Sequence, residues 1–160
     1  MQTIILLLGI ALFAVAAYDD VKSLRIPNAL TIAVAVLGIF RLIVIGDKNM
    51  APYTVGASLI IFIVTFLLFW RGFLGGGDVK LLSATVLLVG YRDLFPFLLI
   101  MSICGALVSL AVLFVHQYLP LWLEPRLMAL MPKARLAVPY GVAIACGGIV
   151  TLLLQTSFLG

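Results

Sequence analysis

Charge is what this sequence has least of. Among 160 residues there are ten Lys or Arg and six Asp or Glu, so 10% of the chain is charged, where a soluble domain has about 25%. Hydrophobic residues make up 65%, too many to hide in one small core, because small domains have too much surface for their volume. Lipid must solvate the remainder, and helices are the economical answer because they satisfy their own backbone groups where water is absent. Histidine and cysteine are scarce too. The one His is His116, and the two Cys, Cys104 and Cys146, sit in separate apolar runs with no C-x-x-C pair. A zinc site needs three or four ligands at suitable spacing, so no metal and no cofactor is expected, and both Cys read as buried packing residues. Basic blocks with interleaved aromatics are absent as well, which excludes nucleic acid as the reason for the net charge of +4.

What is present is a series of apolar runs. A membrane span takes about 20 mostly apolar residues. Six segments qualify in outline: Thr3 to Tyr18, Ala29 to Ile45, Tyr53 to Trp70, Val79 to Tyr91, Leu94 to Val115 and Leu136 to Leu154. The expected fold class is therefore all-α, a polytopic membrane protein forming one transmembrane domain over residues 1–160. The fourth segment is short, reaching only about 20 Å as a helix against a hydrocarbon core of about 30 Å. Its glycine end is therefore expected to begin below the membrane surface, or the bilayer to thin there. The last connection, Gln117 to Arg135, is long and holds Pro120, Trp122, Pro125 and Pro132. A short interfacial helix from Glu124 to Met131 is expected there, as a membrane-hugging linker or a docking surface. Ala14-Val15-Ala16 resembles a signal-peptidase site, but no positive region precedes the apolar stretch.

The few charges set the topology. The first, third and fifth connections carry Lys22, Arg25, Arg71, Lys80, Arg126, Lys133 and Arg135, whereas the second and fourth carry Arg41, Lys48 and Arg92. The odd connections should be cytoplasmic and both termini outside. Of the acids, Asp47 and Asp93 fall on the outer side and Glu124 in the last connection. Asp19, Asp20 and Asp78 remain, all on the cytoplasmic side.

Acids near lipid are functional suspects. Asp19 and Asp20 close the first helix, where negative charge opposes the macrodipole at about 0.3–1 kcal/mol each. Asp78 follows Gly75-Gly76-Gly77, a poor helix start unless the backbone bends sharply there or another chain comes close. The plain alternative is a tight turn with Asp78 as N-cap. If the first and fourth helices pack together, Asp20 and Asp78 can meet. Two close carboxylates share one proton, so one can act as base on water while the other protonates a carbonyl oxygen. Successive helical residues point about 100° apart, so only one of Asp19 and Asp20 should face Asp78.

Asp20-Val21-Lys22-Ser23-Leu24-Arg25-Ile26-Pro27-Asn28 resembles the first active-site motif of the type IV prepilin peptidases. Gly75-Gly76-Gly77-Asp78-Val79-Lys80 resembles their second, Gly-x-Gly-Asp followed one residue later by Lys, and Pro139-Tyr140-Gly141 a third recurring element. The resemblance implies a membrane aspartic endopeptidase of the prokaryotic cytoplasmic membrane. Its substrate would be a prepilin or pseudopilin precursor, whose short basic leader is removed just ahead of a hydrophobic helix. It places the catalytic pair at Asp20 and Asp78, with Asp19 as the competing neighbour. The supporting residues would be Gly75, Gly77, Lys80, Ile26, Pro27, Asn28, Pro139, Tyr140 and Gly141. Tyr140 could hydrogen-bond the pair, and Lys80 could act on Asp78 by proximity. Larger family members carry a C-x-x-C insert and also methylate the new N-terminus. Its absence here implies a peptidase without methyltransferase activity, similar to those of tight-adherence (Flp) pilus systems and to archaeal preflagellin peptidases. Two rivals stand beside this reading: a small proton- or cation-coupled transporter subunit using the same acids, and a non-catalytic pilus assembly factor.

Overall fold

The computed structural model describes residues 2–44, 49–122 and 139–157. They form six α-helices: α1 (Gln2–Ser23), α2 (Asn28–Val44), α3 (Ala51–Trp70), α4 (Gly76–Val89), α5 (Leu94–Trp122) and α6 (Tyr140–Ser157), with a 3-10 turn at Tyr91–Asp93. There is no strand among the described residues, and the chain is an all-α polytopic membrane protein as expected. Thr3–Ser23, Ala51–Trp70 and Tyr91–Val115 are long and apolar enough to cross a bilayer, while α2 and Tyr140–Thr156 are apolar but shorter. At 14 residues, α4 is the shortest of the described α-helices.

Each boundary has a local cause. Leu24 ends α1 in the left-handed region at φ 51°, a conformation that non-glycine residues rarely adopt. The Ser23 hydroxyl donates to the carbonyls of Asp19 and Arg25 there. Pro27 then precedes the first residue of α2, and its carbonyl accepts from the N–H groups of Leu30 and Thr31. α3 closes on Gly72 at φ 80°. The N–H of Gly72 bonds to Phe69 O and that of Phe73 to Leu68 O, the paired arrangement that satisfies the last carbonyls of a helix. α4 closes on Gly90 at φ 93°, ψ 161°, a conformation open to glycine alone.

α4 is the axis of the bundle. It packs against α2, α3 and α6, and α6 in turn packs against α1 and α5. Most of its side chains are buried, Leu81, Val86 and Leu88 completely. Its Ser83 and Thr85 hydroxyls bond back to Val79 O and Leu81 O, so they place no unsatisfied donor in the core. Phe13 of α1, Val34 of α2, Phe97 of α5 and Ile144 and Leu152 of α6 complete the core. The outward faces of α3 and α5 carry exposed Leu59, Ile60, Ile63, Leu107, Leu110 and Phe114. So large an apolar exterior fits lipid rather than water.

The polar contacts fix the helix directions. Lys80 in the first turns of α4 meets Asn28 at the start of α2, and Arg41 in the last turn of α2 meets Leu88 and Val89 at the end of α4. Gln155 near the end of α6 also meets Val89. Hence α2, α4 and α6 run parallel to one another, with α1, α3 and α5 antiparallel to them.

Several boundaries differ from the expected ones. α1 runs on past Tyr18 to Ser23, so Asp19 and Asp20 are helical. α4 begins at Gly76 and includes Asp78. α5 absorbs Gln117 to Trp122. Cys104 and Cys146, expected to be buried, are half-buried free thiols that adjoin across α5 and α6. The proposed interfacial helix, Glu124 to Met131, lies outside the described residues, as do Asp47, Lys48, Arg126, Lys133, Arg135 and Leu136.

Candidate active site

The start of α4 builds one half of the site. Gly75 is the N-cap, in ordinary extended backbone at φ −77°, ψ 146°. Asp78 is three residues on, and its carboxylate accepts the Gly75 N–H at 3.2 Å. Asp78 is therefore not the N-cap. It is the N3 acid that reaches back to a free N–H of the first turn, where negative charge is favourable. Nor do Gly75-Gly76-Gly77 make a sharp bend, since positive φ among glycines occurs at Gly72 and Gly90. Their smallness is used for close approach instead. A Cβ on Gly77 would lie 3.2 Å from Ile26 Cβ, and one on Gly75 2.8 Å from Asp78 Oδ2.

The other half comes from α1 and α6. Asp20 is 4% exposed, and its Oδ2 accepts the N–H of Val142 at 3.1 Å. Val142 lies in the first turn of α6, whose opening residue Tyr140 follows Pro139. The unpaired N–H groups of that helix start point at the carboxylate. This answers part of the electrostatic objection to acids at the end of α1: the start of α6 supplies a positive end that offsets some of the cost. Gly141 makes the contact possible. A Cβ there would lie 2.7 Å from Asp20 Oδ2 and 2.8 Å from Ile26 Cδ1, well inside contact distance. Asp19, one residue earlier, is half-buried and does not line the site.

Both carboxylates open onto one cavity of about 260 Å³, lined by Asp20, Leu24, Arg25, Ile26 and Gly75 to Asp78. α1 and α4 share little direct packing, contrary to the simplest expectation. α2 and α6 each pack against both and hold them together. Buried Ile26 is the wedge among them, touching the close-approach positions of both Gly77 and Gly141. Asp78 lies in the first turn of α4, ahead of the apolar stretch. Its carboxyl is pushed up from 3.8 to about 6, first by burial and then by the nearby Asp20 charge, with the Gly75 N–H pulling the other way. Such a carboxyl exchanges its proton near neutral pH, as a general acid requires.

The remaining sequence candidates are less involved. Lys80 is exposed and donates to Asn28 Oδ1 at 3.0 Å, linking α4 to α2 rather than to Asp78. Pro27 is exposed and sets the start of α2. Pro139 is half-buried, and Tyr140 is 37% exposed. Contrary to expectation, the Tyr140 hydroxyl bonds neither carboxylate among the described residues. The contribution that sequence reasoning missed is the Val142 backbone N–H, which no side-chain motif reveals. The one available signal was Pro139 followed by a small residue at the second helical position. No three His, Cys, Asp or Glu side chains come together to hold a metal among the described residues.

No curated protein and no solved structure matches the chain. The type IV leader peptidase family matches over residues 7–110, and the chain belongs to that family. The matched stretch holds both carboxylates but stops short of α6, which supplies the N–H that anchors Asp20.

Proposed function

We propose that this member of the leader peptidase family is an aspartic endopeptidase whose catalytic pair is Asp20 and Asp78, acting within a single transmembrane domain. The observation that carries the reading is their shared cavity, in which burial and the Asp20 charge keep Asp78 protonated up to about pH 6. With one proton between them, Asp20 takes a proton from water as its oxygen attacks the scissile carbonyl carbon. Asp78 gives its proton to the carbonyl oxygen. The tetrahedral adduct collapses as a proton passes to the amide nitrogen and the C–N bond breaks, leaving an acid and an amine. The Val142 N–H steadies the negative charge of Asp20 while it serves as base.

The substrate is a prepilin or pseudopilin precursor, with a basic leader ahead of a hydrophobic helix that lies in the same bilayer. Lys22, Arg25, Arg71 and Lys80 cluster at the Asp78 end of the described helices, which supports placing the site at the cytoplasmic face of the prokaryotic inner membrane. Both termini then lie outside, and the activity serves pilus assembly or protein secretion.

A transporter would need polar groups along its path. Between Asp78 and Val89 the core of α4 is apolar apart from Ser83 and Thr85, whose hydroxyl donors are taken up within the helix. That favours the peptidase.

The test is cleavage of a prepilin-like precursor in liposomes. Wild type shortens it, with a rate that falls on both the acid and alkaline sides because one proton must be held. Asp20→Asn and Asp78→Asn each lower the rate by about 10³-fold or more, while Asp19→Asn cleaves. Retained activity in either of the first two variants refutes the assignment.

A further inference from the structure

The far end of α4 carries a second polar cluster that the proposed chemistry does not use. Arg41, in the last turn of α2, donates through Nη1 to the carbonyl of Leu88 and, at 3.2 Å, to that of Val89. Its Nη2 donates to Gln155 Oε1 of α6 at 2.8 Å. Gln155 is 8% exposed, and its Nε2 donates to Val89 O at 2.9 Å and to Asp93 Oδ2 at 2.6 Å. Asp93 also acts on the guanidinium through its charge. Three helices and the 3-10 turn are thus tied at one point, through carbonyls that a helix end leaves without partners of its own.

Arg41 is half-buried at the end of the bundle, and a guanidinium there carries a desolvation cost that a Met or Leu would not. What the charge adds is direction. The planar fork meets several acceptors at once, so it fixes where the end of α4 lies relative to α2 and α6. The opposite end of α4 is held by packing rather than by a buried polar network, with Val79 and Leu81 buried there. Beside that packing stand the exposed Lys80–Asn28 bond and the close approaches of Gly77 to Ile26 and of Gly76 to Phe69. α4 is short between them, about 15 Å from Asp78 to Leu88. A tilt allowed at one end is therefore delivered to the other.

We propose that Arg41, supported by Gln155 and Asp93, is a positioning residue that sets the tilt of α4 and thereby the approach of Asp78 to Asp20. The proposal rests on the reading of those two carboxylates as the catalytic pair. The charged residues lining the cavity are Asp20 from α1, Arg25 from the connection to α2 and Asp78 itself, while Lys80 of α4 is turned to Asn28. If α4 tilts, Asp78 gains water and loses the Asp20 charge, the two causes that raise its pKa.

The experiment is the pH–rate profile for precursor cleavage, normalised to folded protein, for wild type, Arg41→Met, Arg41→Lys, Gln155→Leu and Asp78→Asn. Arg41→Met should lower kcat about tenfold with little change in KM. Its alkaline limb should move about one pH unit toward acid. Gln155→Leu should move it in the same direction by less, and Arg41→Lys should fall between Met and wild type. A purely structural cluster would reduce the yield of folded protein while leaving kcat per folded molecule and the profile unchanged, and that result overturns the proposal. Should Arg41→Met fail to fold, Gln155→Leu decides by the same criterion. If Asp78→Asn cleaves like wild type, the catalytic reading fails and the positioning role falls with it. If Asp78→Asn is inactive and the profiles of the folded Arg41 and Gln155 variants are unmoved, only the positioning role fails.

Discussion

The two ends of the α2–α4–α6 trio are electrostatic opposites. At one end the helix starts converge with Asp20 and Asp78, and free N–H groups of Gly75 and Val142 face carboxylates. At the other the helix ends converge on Arg41, whose guanidinium faces the carbonyls of Leu88 and Val89. Each end places the charge that its helix dipoles favour. The difference lies in how far the charges are satisfied. Both ends open onto a cavity, but Arg41 commits its donors to Leu88, Val89 and Gln155, whereas Asp78 keeps a raised pKa of about 6 beside Asp20. On the proposed reading one end positions the helices and the other exchanges a proton.

The comparison can be broken most sharply at Gly141. Gly141→Val places a Cβ 2.7 Å from Asp20 Oδ2 and should push that carboxylate out of register, lowering the cleavage rate by about 10²-fold. Gly141→Ala should cost less. The assay is precursor cleavage, with circular dichroism to show that the helices persist.

A smaller effect separates the site from the rest of the fold by pH. The folded pKa of Asp78 stands above its ordinary value of 3.8, so the fold binds this proton more tightly than the unfolded chain does. Above about pH 6 an ionised Asp78 therefore weakens the fold, and the penalty fades as pH falls from about 6 toward 4. Asp78→Asn removes it and should stabilise the protein by about 1–2 kcal/mol at pH 7–8 while abolishing cleavage. Thermal unfolding in detergent at pH 4 and pH 8 checks this: the gain should be present at the higher pH and gone at the lower.

The smallest expected effect is at Lys80. Its bond to Asn28 is exposed, and such bonds contribute little. Lys80→Met should change stability by less than about 0.5 kcal/mol, measured by the same unfolding curves. A larger loss would mean that this bond holds the start of α4 more firmly than its exposure indicates.

Much of this was legible in the sequence because it follows from solvent and period. Apolar runs demand helices in lipid, and a run as short as Val79 to Tyr91 demands a short helix. Scarce acids gathered at one end mark a site. The reasons for Gly75-Gly76-Gly77 and Gly141 were not legible, because close approach depends on a neighbour brought in from another helix. Ile26 shows this most clearly. In the sequence it is one apolar residue before a proline, while in the fold it separates Gly77 from Gly141. The anchor of Asp20 was hidden because a backbone N–H carries no sequence signal. Arg41 and Gln155 were hidden because each looks like a stray polar group at the end of an apolar run, and only parallel packing of α2, α4 and α6 brings them to one carbonyl.

The proposed mechanism requires that Asp20 and Asp78 influence each other's proton. Infrared difference spectroscopy of the carboxylic acid stretch, with isotope-labelled Asp and the Asp78→Asn variant to assign the band, reads the titration of Asp78 directly. In wild type the band should titrate near pH 6. In Asp20→Asn, with the neighbouring charge removed, it should titrate at distinctly lower pH. An Asp78 band that titrates in the ordinary carboxyl range in wild type, or that does not move when Asp20 is neutralised, contradicts the account.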